Sequence, residues 1–116
     1  MEINVFRNAA DALDLAAGDV LFQVGDPGDV MFAVADGCVE LSLQGRVIDE
    51  IGPGGIVGEM ALIDSEPRSA TAVARTPSRV VPVDHDRFNY LVHEHPTFAL
   101  QVMTVMADRL RRANVT

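Results

Sequence analysis

The hydrophobic residues of this chain follow two periods. In the middle of the chain they alternate with polar residues: at positions 39–43 three apolar residues flank Glu40 and Ser42, as in a half-buried strand. Similar short runs, among them 69–74 and 79–83, lie between turns marked by Gly and Pro from residue 18 to residue 83. So many short strands in so few residues predict a β-barrel or a sandwich over 18–83.

Turn signals flank the strand at 39–43 on both sides. Asp36 and Gly37 precede it, Gln44 and Gly45 follow it, and both dipeptides predict hairpin turns. Further along, the composition of residues 52–55, GPGG, predicts a loop that leads to the segment from residue 58 onward.

Helical patterns occupy the two ends of the chain. The Ala, Leu and Asp residues at 9–17 predict a short helix within an N-terminal helical segment of residues 1–17. Asp84 is suited to cap a helix over residues 85–94, and Pro96 to lie in the first turn of a second helix that runs towards Asn114. The C-terminal helices together take up residues 84–116.

The last predicted helix carries a wide apolar stripe. Its centre is predicted at Ala99, Met103, Met106 and Leu110, and Phe98, Val102 and Val105 widen it. The stripe needs a cover, which could be the chain's own barrel, a second copy in a homodimer, or a protein partner.

Residues 58–72, GEMALIDSEPRSATA, hold the most informative chemistry of the chain. Arg68 carries a planar fork that can bind two phosphate oxygens at once. Glu59, nine positions earlier, offers acceptors for ribose hydroxyls. Small residues, Gly58 and Ala70 among them, let a ligand approach the backbone. An apolar turn follows Gly58, which predicts a short helix whose first N–H groups point at an anion.

These residues resemble the phosphate-binding cassette of the cyclic nucleotide-binding domain family, found in cyclic-nucleotide-dependent kinases, gated channels and the bacterial catabolite activator. The family pattern Gly-Glu-(Leu/Met)-Ala-Leu is matched at 58–62, and Pro-Arg-(Ser/Thr/Ala)-Ala is matched at 67–70. The turn glycines and early strands of residues 18–37 fit as well. The resemblance implies a mainly β fold with helices: an eight-stranded jelly-roll β-barrel, a short cassette helix and C-terminal lid helices.

The resemblance also implies a ligand, cAMP or cGMP, and no cofactor. Glu59 is expected to bind the ribose 2′-hydroxyl and Arg68 the phosphate. Ser69 favours cAMP, because cGMP-responsive kinases usually carry Thr at the corresponding position, whereas the catabolite activator, which binds cAMP, carries Ser. The expected binding residues are Gly58, Glu59, Met60, Ala61, Arg68, Ser69 and Ala70, with Val57, Thr71 and Arg109 as further candidates.

Several of these residues also fit simpler roles. Glu59 could be a solvated acid or the partner of an Arg, and Arg68 could form a surface ion pair with Glu66 or Asp64. Ser69 and Thr71 suit a strand without any ligand. Three Arg residues near the end of the last helix could complement the helix dipole, or one of them could stack on a bound base: Arg109, Arg111 and Arg112.

Length and charge restrict the remaining function classes. The 116 residues predict one domain over 1–116, and the net charge of −8, with nine Arg and no Lys, disfavours direct nucleic-acid binding. Salt screens that charge over roughly 8 Å, so a local phosphate pocket remains compatible with it. Residues 1–7 lack signal-peptide features and no apolar run reaches about 18 residues, which predicts a cytoplasmic protein without membrane contact.

No catalytic or metal-binding arrangement stands out. Cys38 is the single cysteine, and the sequence shows no nucleophile–base pair between a His and either Cys38 or any Ser or Thr. His93 and His95 are two positions apart on a predicted helix and therefore point in different directions, which disfavours a metal site. The sequence predicts a non-enzymatic cyclic nucleotide sensor that signals through its last helix. Two alternatives stay open: a nucleotide-independent interaction scaffold, and the sensor part of a longer regulator.

Overall fold

The structure, a computed structural model, describes residues 9–113. Within them the chain forms eight strands and three helices. The strands are β1 (Leu13–Leu15), β2 (Val20–Phe22), β3 (Met31–Asp36), β4 (Val39–Leu43), β5 (Arg46–Ile51), β6 (Ile56–Val57), β7 (Thr71–Ala74) and β8 (Ser78–Val83). The helices are α1 (Glu59–Asp64), α2 (His85–Glu94) and α3 (Thr97–Ala113). None of the helices in this described part is long and apolar enough to cross a membrane.

The strands form two antiparallel sheets of four. One sheet has the order β1-β8-β3-β6 and the other the order β2-β7-β4-β5. Apart from the β4–β5 hairpin, strands that follow each other in the chain lie in different sheets, so the chain crosses repeatedly between the layers. This is the connectivity of a jelly roll. The predicted mainly β fold with eight strands and added helices is confirmed.

Two clusters of buried apolar side chains hold these layers together. One cluster fills the space between the sheets and includes Val34 and Val80 from the first sheet and Val39 from the second. The other packs the first sheet against the helices and includes Leu62, Leu91, Phe98 and Val102. Because removal of apolar surface from water is the main favourable term in folding, the helices are part of the same folded unit.

The two predicted hairpin turns have different outcomes. Gln44 and Gly45 form the tight turn between β4 and β5 with positive φ angles of 52° and 76°, so this prediction is confirmed. The prediction for Asp36 and Gly37 was wrong, because they connect strands of different sheets. Gly37 has a φ of 86°, and a Cβ there would lie 2.3 Å from the Ser78 hydroxyl. The same glycine signal therefore marks a corner here.

The short helix predicted over residues 9–17 was also wrong. Leu13–Leu15 form a strand instead, paired with β8 so that Leu13 lies opposite Val80. A helix of this length is only marginally stable in water. The edge of the first sheet offers hydrogen-bond partners for the backbone of this segment, and these outweigh the weak helix propensity of its residues. The rest of the predicted N-terminal segment, residues 1–8, lies outside the described residues, as do residues 114–116 of the predicted C-terminal segment.

The C-terminal helices follow the prediction in extent but not in orientation. The Asp84 carboxylate accepts a hydrogen bond from the Arg87 backbone N–H at 2.8 Å and caps α2, as predicted, and α3 begins directly after Pro96. The face predicted as the centre of the apolar stripe was wrong: Met103 and Leu110 are exposed. The buried side of α3 instead carries Phe98 and Val102.

Candidate functional site

A cavity of about 640 Å³ lies where the second sheet, α1, the loop after it and α3 meet. Eight of the predicted binding residues line it: Gly58, Glu59, Met60, Ala61, Arg68, Ser69, Ala70 and Arg109. The structure thus brings the cassette and the end of the last helix to one place, although fifty residues separate Glu59 from Arg109.

Arg68 is the most constrained side chain of the cavity. It is only 7% exposed, and its two terminal nitrogens donate hydrogen bonds to the backbone carbonyls of Gly58, at 3.2 Å, and Val30, at 2.7 Å. The guanidinium carbon lies 4.3 Å from the centre of the Phe22 ring, within range of a cation–π contact. Its Nε atom is buried without a hydrogen-bond partner in the described part of the chain. The alternative of a surface ion pair with Glu66 or Asp64 is therefore wrong.

Two glycines make room for this guanidinium. A Cβ at Gly28 would lie 2.3 Å from Arg68 Nε, and one at Gly58 would lie 2.5 Å from Arg68 Nη1. Gly58 also has a φ of 76°, a left-handed conformation that favours glycine. The role of Gly58 extends beyond the ligand approach predicted from the sequence, because it also positions Arg68.

Burial acts on the charge of Arg68. Desolvation lowers the pKa of its guanidinium below the ordinary value, and the carboxylates of Asp29, Asp26 and Glu59 oppose that shift. Arginine remains protonated at neutral pH. The cavity wall therefore carries a fixed cation with donors in a planar fork, which is the chemistry that suits a phosphate.

Glu59, the first residue of α1, is buried to 4% exposure. Its Oε1 atom accepts a hydrogen bond from Arg109 Nη1, and Arg109 Nη2 donates to the Ile56 carbonyl. The alternative in which Glu59 pairs with an Arg is therefore seen in the structure. A carboxylate has acceptor sites on both oxygens, so this ion pair and a hydroxyl ligand are compatible on Glu59.

The smaller predicted residues occupy different depths around the cavity. Ala61 and Ala70 are buried, whereas Ser69 is exposed at its rim and Met60 is 54% exposed. Ser69 and Ala70 belong to a bend, since the strand predicted from residue 69 begins at Thr71.

Two predicted candidates do not line the cavity. Val57 is fully buried in the cluster between the sheets. The Thr71 hydroxyl accepts a hydrogen bond from the Val24 backbone N–H at 3.1 Å. The structure therefore gives both residues a role in the fold.

Sequence reasoning missed several lining residues that come from distant elements. These are Phe22 of β2, Leu41 of β4, and Ile48 and Asp49 of β5. Arg112 of α3, one of the three Arg residues considered for stacking on a base, also lines the cavity. None of them belongs to the cassette. The alternation of apolar and polar residues along a strand indicates which residues share a face, but it does not indicate which face borders a cavity. The Arg residues at the end of α3 were the one feature of the sequence that could have indicated a contribution of this helix to the cavity.

Comparison with known proteins agrees with this geometry. The family model for the cyclic nucleotide-binding domain matches residues 12–95. The chain belongs to the cyclic nucleotide-binding domain family. It is thus a cyclic nucleotide-binding domain of the regulatory, signal-transducing type.

Individual relatives extend this result. The chain is 41% identical over 91 residues to a cyclic nucleotide-gated potassium channel of Mesorhizobium japonicum, a match that covers 78% of this chain and 25% of the channel. It is 31% identical over 107 residues to the CRP-like cAMP-activated global transcriptional regulator of Mycobacterium tuberculosis, covering 88% of this chain and 48% of the regulator.

A solved structure shows the same fold. The catabolite activator protein of Thermus thermophilus superimposes with a TM-score of 0.78 at 31% identity, over 89% of this chain and 51% of that one. The chain thus spans about half, or less, of the length of these relatives, which carry further segments beyond the shared domain.

Proposed function

We propose that this cyclic nucleotide-binding domain is a sensor that prefers cAMP to cGMP and transmits binding through α3. The observation that carries the proposal is the shared cavity, into which the fold brings a buried carboxylate, Glu59, and a buried guanidinium, Arg68. A cyclic sugar-phosphate needs both an anion contact and a hydroxyl contact, which these two residues can supply.

In the proposed complex, Arg68 binds the phosphate and Glu59 accepts from the ribose 2′-hydroxyl. The fixed position of Arg68 between two carbonyls and the Phe22 ring supports this role, since an ordered donor loses little entropy on binding. Gly58, Ala61 and Ala70 leave the wall open to the ligand. The domain is proposed to act by binding, with no catalytic residue and no metal.

The proposed preference for cAMP rests on Ser69. Its side chain lies at the rim of the cavity, where it can reach a phosphate oxygen or a base edge. The Mycobacterium tuberculosis relative is named as cAMP-activated, which agrees with this choice.

The proposed output is a change in α3. This helix sends Arg109 into the cavity, where it contacts Glu59, so a ligand on Glu59 meets the helix directly. A ligand shifts a conformational equilibrium only as far as its affinities for the two forms differ. Arg109 is the residue through which we expect that difference to arise, and we propose that it also stacks on the bound base.

Calorimetric titration of the purified chain with cAMP and then with cGMP tests the proposal. We expect a dissociation constant of about 1 μM or below for cAMP, roughly −8 kcal/mol, and a weaker one for cGMP. Arg68→Ala should abolish binding, whereas Arg79→Ala, which removes an exposed Arg paired with Asp14 on β1, should leave it unchanged. The absence of heat and of thermal stabilisation with both nucleotides would refute the sensor.

A second function, docking of another protein, is favoured by the outer side of α3. Leu100, Met103 and Leu110 are all more than half exposed there. We propose that this surface contacts a second copy in a homodimer or a protein partner. We further propose that the domain belongs to a cytoplasmic regulator and that it binds neither nucleic acid nor membranes. Light scattering across a concentration series, with Met103→Glu as the variant, tests the homodimer.

A further inference from the structure

We propose that Asp49 is a positioning residue that holds α3 over the nucleotide cavity through Arg109 and Arg112. This inference rests on the proposed function of that cavity. Asp49 Oδ2 lies 3.5 Å from Arg109 Nε, and the two terminal nitrogens of Arg112 each donate to a different Asp49 oxygen at 3.2 Å. One carboxylate of β5 therefore contacts two successive turns of α3.

Asp49 also completes a chain of contacts into the cavity. Arg109 forms an ion pair with Asp49 on one side and donates a hydrogen bond to Glu59 on the other, so its guanidinium lies between two largely buried carboxylates. The side chains of Asp49 and Arg109 are each mostly shielded from solvent, which limits screening of their attraction by water and salt. Asp49 thereby fixes the direction from which Arg109 approaches Glu59.

Asp49 points towards the cavity because it lies directly opposite Leu41, which also lines the cavity, and a β-bulge beside it adds Ile48 to the same wall. In the β4–β5 pair, Leu41 lies opposite Asp49 and Ser42 lies opposite Val47, which leaves Ile48 as an extra residue. Neighbouring side chains of a regular strand point to opposite faces, yet Ile48 and Asp49 both line the cavity. Bulges re-aim side chains in this way and are frequent beside functional sites.

The sign of the expected effect separates positioning from simple electrostatics. Asp49→Asn removes a negative charge from a cavity proposed to bind an anion, so charge alone would strengthen nucleotide binding. Loss of the hold on Arg109 and Arg112 would instead loosen α3 and let the ligand leave faster. A weaker affinity for cAMP in this variant therefore identifies a positional role.

The experiment compares Asp49→Asn with Glu50→Gln, a matched control with the same change of charge at the next residue. Glu50 pairs with Arg75 at the surface and does not line the nucleotide cavity. We expect dissociation of a fluorescent cAMP analogue to accelerate roughly fivefold in Asp49→Asn, within the usual range of coupling between sites. Glu50→Gln should dissociate at the rate of the unmodified chain.

A mutant cycle with Arg109→Gln supplies a readout that loss of stability would not imitate. If Asp49 acts through Arg109, then Asp49→Asn should change the dissociation rate much less in the Arg109→Gln background than in the unmodified one. Equal effects in both backgrounds, or unchanged or tighter binding in Asp49→Asn alone, would overturn the inference.

Hydrogen exchange without nucleotide keeps the two proposals separate. Asp49→Asn should speed amide exchange in the second half of α3, near Arg109 and Arg112, whereas Glu50→Gln should not. If the unmodified chain binds no cyclic nucleotide, the proposed function fails, and this exchange measurement still decides whether Asp49 holds α3. Unchanged exchange in Asp49→Asn would overturn the inference on its own.

Discussion

The cassette and α3 both contribute to the cavity, but they are held in place in different ways. The cassette is held by the backbone: Arg68 bonds to two main-chain carbonyls, and Gly58 turns the chain with a positive φ. Helix α3 is held mainly by contacts between side chains, through an apolar face around Phe98 and the ion pairs of Arg109, with one further Arg109 hydrogen bond to the Ile56 carbonyl.

The difference has a mechanical consequence. Side-chain contacts can be exchanged one at a time, whereas a glycine turn and a buried Arg bonded to carbonyls change only if the surrounding backbone moves. We therefore expect the cassette to keep its form when ligand binds and α3 to respond. The proposed sensor therefore combines a rigid cassette with a helix, α3, whose side-chain contacts can be exchanged.

The largest expected effect breaks the attachment of α3. Phe98 is 1% exposed, so Phe98→Ala should lower the free energy of unfolding by about 3–5 kcal/mol, through lost burial and a cavity. Met103→Ala, on the outer side of the same helix at 53% exposure, should change it by less than about 0.5 kcal/mol. Urea unfolding measures both, and similar losses would contradict the assignment of the buried face.

The second-largest expected effect tests the rigidity of the cassette. Gly58 and Gly45 have the same φ of 76°, but a Cβ at Gly58 meets Arg68 whereas one at Gly45 meets nothing within 4 Å. Gly45→Ala should therefore lose only the roughly 1–2 kcal/mol of a left-handed non-glycine residue. Gly58→Ala should lose more and also weaken cAMP binding. Calorimetry measures the cAMP affinity of the two variants, and thermal unfolding measures their stability. Equal losses in Gly45→Ala and Gly58→Ala would show that contact with Arg68 does not account for the effect at Gly58.

A smaller effect lies at the junction of the two regions. Glu59→Gln should weaken cAMP binding about tenfold, or roughly 1.4 kcal/mol, because it removes the charge from the ribose acceptor. Exchange of the α3 amides should also rise, since Arg109 loses its charged partner. Glu66→Gln, at an exposed acid that also lines the cavity, is the control. Unchanged affinity in Glu59→Gln would remove Glu59 from the ligand contacts.

The smallest expected effect concerns base selection at the rim. Ser69→Thr should lower the preference for cAMP over cGMP by about threefold, near the lower end of what one hydrogen bond contributes. The branched Thr side chain restricts the hydroxyl to fewer rotamers and so favours one base edge. Competition titration with both nucleotides measures the ratio, and a ratio that does not move would assign base selection to α3.

Local signals in the sequence predicted local structure well. The range of α2 and its cap at Asp84 were predicted from residue types within one turn, and so was the turn at Gln44 and Gly45. The errors share a cause. Residues 9–17 and the turn at Asp36 and Gly37 take a form that depends on strands far along the chain, namely β8 and the second sheet.

The sequence by itself determined the cassette, because Glu59 and Arg68 need only a short stretch of chain and a few small neighbours to form the proposed sugar-phosphate site. It also determined that the chain is a β-rich unit with helices after it. Only the tertiary structure decided which side of α3 is buried and that Arg109 reaches Glu59. The pairing with Leu41 that places Asp49 on the cavity side of β5 was decided at the same level. These features depend on packing between segments distant in the chain, and the hydrophobic period of a helix does not specify its partner.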